Sequence, residues 1–283
     1  TTAGAGEIAS DGAVALNAGT TLSIGAGAGS IVTAVGNVTL DAGTTLSVGD
    51  AADITSPTGN IAFTAGTSIS NDGVITATTG DISMTAGTTL DLLDSTAGDV
   101  VATAGSVTIT ADSTITTADN LAITAGAGSL TVTSTSADIN SDTATAITSS
   151  TTMDITTGTG ADFVGALTSG TAMTINTGTS LVSGDLLTAT TGNLNVTTGT
   201  AATFGSAGTD AATATAGDLS ITAGTVATIT HDIEATAGSV TVDANSITSA
   251  GTGSIIAGKN VTLTSATTIT LGDYFFDIDE DTL

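Results

Sequence analysis

A short run of apolar, polar, apolar residues, opened by a small or turn-forming residue, returns roughly every 20 to 25 residues along this chain. It can be read at Val14-Ala15-Leu16, Val38-Thr39-Leu40, Ile61-Ala62-Phe63, Ile82-Ser83-Met84, Val107-Thr108-Ile109 and Leu130-Thr131-Val132. The same run continues at Met153-Asp154-Ile155, Met173-Thr174-Ile175, Leu194-Asn195-Val196, Leu219-Ser220-Ile221, Val240-Thr241-Val242 and Val261-Thr262-Leu263. Alternation of this kind puts the outer two side chains on one face of a strand and the middle one on the other. A strand repeated at that spacing cannot bury its apolar face alone, so successive repeats must stack as turns of a coil.

The rest of each repeat keeps the register. A small-residue turn follows the first strand in Asp41-Ala42-Gly43-Thr44, Thr64-Ala65-Gly66-Thr67, Thr85-Ala86-Gly87-Thr88, Asn176-Thr177-Gly178-Thr179 and Thr222-Ala223-Gly224-Thr225, where glycine allows a sharp corner. A second strand is read at Leu22-Ser23-Ile24, Leu46-Ser47-Val48, Leu90-Asp91-Leu92, Ala227-Thr228-Ile229 and Ile269-Thr270-Leu271. A third is read at Asp53-Ile54-Thr55, Val74-Ile75-Thr76, Val100-Val101-Ala102, Leu186-Leu187-Thr188 and Ile233-Glu234-Ala235, running into corner glycines such as Gly59, Gly80, Gly105, Gly192, Gly217 and Gly238. The expected fold is therefore all-β, a parallel β-solenoid of about 12 rungs of roughly 22 residues with three short strands each. One solenoid domain is expected over residues 1–271, followed by a tail at 272–283.

Composition narrows this further. Apolar residues make up 40% of the chain but aromatics only 2%, with a single Pro, which favours a thin interior of Val, Ile, Leu and Ala over a thick globular core. No apolar run is long enough to span a bilayer as a helix. No basic, apolar leader is visible at the start, so any secretion signal is expected to be absent from this sequence. There are no cysteines, hence no disulfide and no thiolate metal site.

Lys259 is the only basic residue against 27 acids, and the formal net charge is −26. A stack of that many rungs is about 58 Å long, so the charge approaches the linear density of duplex DNA, at about one per 2.2 Å. Nucleic acid is excluded as a partner, and insertion into or binding to an anionic membrane is not expected. The scarcity of Lys and Arg leaves trypsin-like proteases almost no cleavage sites, which suits exposure outside the cell.

Segments such as Gly36-Asn37-Val38-Thr39-Leu40-Asp41-Ala42-Gly43-Thr44-Thr45-Leu46-Ser47-Val48 and Gly80-Asp81-Ile82-Ser83-Met84-Thr85-Ala86-Gly87-Thr88-Thr89-Leu90 resemble the repeats of filamentous haemagglutinin and related large secreted bacterial adhesins. The resemblance implies a right-handed parallel β-helix on the outside of a bacterium, and that hand agrees with the preference of parallel crossovers.

Candidate chemistry is sparse, and no enzymatic activity is expected. Asp138, Asp142, Asp154 and Asp162 form one group of acids, and Asp91, Asp94 and Asp99 another, but an acidic polysaccharide substrate would need cations that the chain lacks. His231 beside Asp232 reads as a turn residue, because no Ser or Cys elbow accompanies it. Calcium is the candidate ligand of the acidic segment Asp277-Ile278-Asp279-Glu280-Asp281, with Asp277, Asp279 and Asp281 as its donors; the competing reading is a solvated tail. The column Asn37, Asn60, Asp81, Ser106, Ser129, Asn193, Asp218 and Ser239 precedes the first strand and reads as corner residues bonding backbone amides.

Three functional readings remain. The leading one is a structural subunit of an extracellular filament or cell-surface layer that assembles head to tail with copies of itself. It rests on a first repeat that opens mid-rung near Glu7, on the absence of a visible cap, and on Tyr274, Phe275 and Phe276, which concentrate aromatic area as either a cap or a connector to the next subunit. The second is a shaft segment of a secreted adhesin, whose receptor or glycan the sequence leaves open. The third is ice binding through Thr pairs such as Thr108 and Thr110, Thr131 and Thr133, and Thr262 and Thr264.

Overall fold

The computed structural model of the chain describes residues 6–25, 30–50, 52–93, 99–118, 121–141, 145–205, 210–272 and 276–277. The fold is an all-β parallel β-solenoid of about 11 turns, with no helix among the described residues. It divides into two compact units, Thr1–Ser150 and Thr151–Leu283.

In the first unit the opening strands are Val14–Ala18, Val38–Ala42, Ile61–Ala65, Ile82–Ala86, Val107–Ala111 and Leu130–Ser134. Each pairs in parallel with the next without slippage, so that Val14, Val38, Ile61, Ile82, Val107 and Leu130 fall in one column. The strands run two residues beyond the apolar-polar-apolar signature, and the fifth residue also points inward. At Ala42, Ala65, Ala86 and Ala111 it is a buried alanine, small enough for the chain to bend immediately afterwards. Second and third strands stack in their own columns, for example Thr45–Val48 on Ser68–Asn71 and Ala52–Ser56 on Val74–Ala77.

The second unit repeats the plan with Met153–Thr157, Met173–Thr177 and Leu194–Thr198 in register. Its later turns differ from the expectation of three separate strands. Leu219–Ile229, Val240–Ser249 and Val261–Thr270 each run through the first corner as one strand, with register shifts between Ala223 and Val226 and between Ala244 and Ser246. The segment Thr222-Ala223-Gly224-Thr225 reads as a turn in sequence and is a bulge within a strand, because parallel pairing on both sides holds the backbone extended. The third column also continues past residue 271: Phe276–Asp277 pairs with Ile255–Ala257.

The interior is a thin apolar column with local adjustments of volume. Phe63 stacks between Leu40 and Met84. In the second unit Phe163 and Phe204 lie two turns apart in one column with Ser183 between them, and all three are fully buried. A small residue between two large ones keeps the layers at native density.

Most corner glycines that sit on a preceding turn, such as Gly66, Gly87, Gly178 and Gly224, are required by close approach and not by backbone conformation. Among the described residues only Gly205 and Gly251 have positive φ, at 81° and 73°. At Gly66, a Cβ would collide with the carbonyl oxygen of Gly43 one turn away. At that corner the backbone of the preceding turn leaves no room for a side chain on Gly66.

Candidate functional site

Outward positions of the strands carry short polar side chains, and the corners between them hold a repeated hydrogen-bond device. The Asn37 Oδ1 accepts from the Asn60 amide at 2.9 Å, Asn60 Oδ1 from the Asp81 amide at 2.9 Å, and Asp81 Oδ1 from the Ser106 amide at 2.8 Å. Ser106 Oγ then accepts from the Ser129 amide at 3.2 Å. In the second unit Asn193 Oδ1 takes the Asp218 amide at 3.0 Å and Asp218 Oδ1 the Ser239 amide at 2.8 Å. Each side chain satisfies the backbone donor of its successor, so this column has a structural task, as its sequence pattern indicates. Asp99 and Asp232 do the same before third strands, accepting from Ala122 and Ser254 amides at 3.2 and 2.7 Å.

Buried hydroxyls close other corners from inside. Ser56 Oγ donates to the Gly59 carbonyl at 2.9 Å, Ser169 Oγ to Ala172 at 2.8 Å, Ser183 Oγ to Asp185 at 2.8 Å and Thr157 Oγ1 to Gly160 at 3.0 Å. Thr177 and Thr198, in the same column as Thr157, have buried hydroxyl oxygens with no partner. Sequence reading places Thr177 in a turn; the structure makes it the last inward residue of its strand.

His231, Asp154 and Asp162 lie on separate elements. His231 Nδ1 lies against the Gly205 carbonyl and 3.2 Å from Thr230 Oγ1, while Asp232 is engaged with the Ser254 amide, so the two neighbours act in separate corners. Asp154 and Asp162 point outward, exposed, from a first and a second strand of the second unit. Asp94 and Asp142 lie outside the described residues. Among the described residues no three His, Cys, Asp or Glu side chains converge on a point that could hold a metal ion. Of the expected calcium donors, Asp277 is placed only as a strand residue in register with Ile256, and Asp279 and Asp281 lie outside the described residues. Tyr274 and Phe275 do as well, and Phe276 is in backbone register with Ile255.

What the structure adds is two apolar strand edges. In the second unit Val261–Thr270 pairs with Val240–Ser249 on one side, and no described strand pairs on its other side. The inward column Ala227, Ile247, Ile269 passes from fully buried in its first two members to 44% exposed at Ile269, and Leu271 is 37% exposed. Val261 and Leu263 are half-buried, whereas Val240 and Val242 are fully buried. In the first unit Leu16 and Leu22 are half-buried while their register partners Leu40 and Leu46 are fully buried. Among the described residues each of these edge strands has a parallel partner on one side only. In the sequence these edges coincide with the first and last occurrences of the repeated pattern.

Among the described residues no helix is long and apolar enough to cross a membrane. No protein-family model, no curated protein and no solved structure matches the chain.

Proposed function

We propose that this chain is a structural subunit of an extracellular filament or surface layer, growing by addition of turn onto turn between copies. The edge strand Val261–Thr270 of one copy would receive the strands Val14–Ala18 and Leu22–Ile24 of the next. The observation that carries this reading is the half-open apolar column at Ile269 and Leu271. A parallel strand laid on that edge would bury it and satisfy the edge backbone groups in one step. The inward residues are compatible: Val261 and Leu263 in one edge, Val14 and Leu16 in the other, continue the same column pattern. Because the two edges are different surfaces, the contact is heterologous and propagates as an open polymer unless the rotation closes a ring. An extracellular setting agrees with the excess of acids and the near absence of trypsin-type cleavage sites.

Sedimentation velocity and negative-stain electron microscopy of the purified chain test this reading. The intact protein is expected to form filaments, and the double variant Ile269→Glu, Leu271→Glu to stay folded and monomeric. If the intact chain stays monomeric at high concentration, the reading fails, and the adhesin shaft, in which neighbouring turns of a longer chain cover both edges, replaces it.

A further inference from the structure

The bulged corner of the second unit contains a hollow of about 380 Å³ lined by residues of three successive turns. Its origin is a difference in corner length. Asn245 alone stands opposite Gly224 and Thr225 on one side, since Ala223 pairs with Ala244 and Val226 with Ser246. It stands opposite Ala266 and Thr267 on the other, since Ala244 pairs with Ser265 and Ser246 with Thr268. The middle corner is one residue shorter than both neighbours and is recessed between them. The register is held from the far side by Ser265 Oγ and Thr267 Oγ1, which donate to the Asn245 carbonyl at 2.9 and 2.6 Å.

We infer that this recess binds one ring of a neutral saccharide. Its polar lining is Thr222, Thr264, Asp243, Asn245 and Ser265, the last with its hydroxyl committed to the Asn245 and Thr268 carbonyls, and the rest is small, at Ala223, Gly224, Ala244 and Ala266. Asp243 and Asn245 are exposed and available to a ligand. Together these groups accept and donate in several directions over a short span, which is the pattern that vicinal hydroxyls require. An anion is disfavoured by Asp243 in the wall, and a metal ion by the lack of a second acid in the lining. The volume lies at the small end of the range of small-molecule sites, which limits the ligand to a small one. The recess shares Thr264, Ser265 and Ala266 with the edge strand Val261–Thr270, so the binding test is run on the monomeric Ile269→Glu, Leu271→Glu variant as well as on the intact chain, which separates its outcome from that of the filament reading.

Saturation-transfer difference NMR on the full chain, with methyl glycosides of glucose, galactose, mannose and N-acetylglucosamine at a few millimolar, provides the test. At least one glycoside is expected to give a signal. In Asp243→Ala, Asn245→Ala, confirmed as folded by circular dichroism, that ligand is expected to bind about tenfold more weakly, as the loss of two hydrogen-bonding side chains implies. Ala266→Phe, which fills the recess but keeps both polar groups, is expected to abolish the signal. Absence of signal from all four glycosides with the intact chain overturns the inference, and so does a signal that survives both variants.

Discussion

At the scale of single residues, the solenoid separates positions sharply by the direction in which a side chain points. Leu40, Ile82 and Ile221 are fully enclosed, while Thr39, Ser83 and Ser220 alternate with them on the outer face. Replacing any of the first three by Asp is expected to cost about 3–5 kcal/mol, because an unpaired carboxylate is placed in the core. The same change at Thr39, Ser83 or Ser220 is expected to stay within about 0.5 kcal/mol. Urea denaturation of the six variants checks the pattern, and equal tolerance in both sets would contradict the register. The inward hydroxyls give a finer comparison. Thr157 bonds the Gly160 carbonyl, but Thr198, in the same column, leaves its buried oxygen without a partner. Thr198→Val removes a group that was desolvated without return and is expected to stabilise by about 1 kcal/mol, whereas Thr157→Val is expected to destabilise by about as much. Opposite signs for one substitution in one column would be hard to obtain from packing alone.

At the scale of elements, what holds one turn to the next is strand pairing supplemented by the corner columns. Asn60 sits in the middle of such a column, receiving the Asp81 amide and giving its own amide to Asn37. Asn60→Ala deletes the acceptor and is expected to cost about 1 kcal/mol, while Asp81→Asn keeps an oxygen at the same place and is expected to change stability by less than about half that. Hydrogen exchange at the Asp81 and Ser106 amides reads the two cases locally. These columns were legible in sequence because a corner must recur at the same place in every turn, and the residue types there are ones that bond backbone amides. Strand columns were legible for a similar reason: period-2 alternation at Val38, Thr39 and Leu40 fixes which side faces in. The merged strands were not legible, since Ala223-Gly224-Thr225 has the composition of a turn and only the pairing of neighbouring turns keeps it extended. Nor was the placement of Ser183 between Phe163 and Phe204, because packing between turns joins residues that lie some twenty positions apart. The recess at Asn245 could have been found by counting corner residues in successive repeats, but nothing in the local composition marks it.

At the scale of the whole molecule, the opposing terms are apolar stacking and the repulsion of a formal charge of −26. Far-ultraviolet circular dichroism is expected to show a β spectrum without a helical component, in keeping with a fold in which no described residue is helical. The charge should also make stability depend on salt, with the melting temperature rising between low ionic strength and about 0.15 M NaCl, where the Debye length falls to about 8 Å. Assembly gives the sharper case, since two chemistries of junction predict opposite salt dependence. A junction made by opposite charges would weaken as salt is added. The proposed one is made by Val261, Leu263, Ile269 and Leu271 meeting Val14, Leu16, Leu22 and Ile24, so salt screens the repulsion between subunits and leaves the apolar attraction intact. Filament mass measured by pelleting is therefore expected to increase from about 10 mM to about 150 mM NaCl and to increase again when sulfate replaces chloride at equal ionic strength, because sulfate strengthens apolar burial. Filaments that dissolve as salt rises would mean that charge pairing, and not the open core at Ile269 and Leu271, joins one copy to the next.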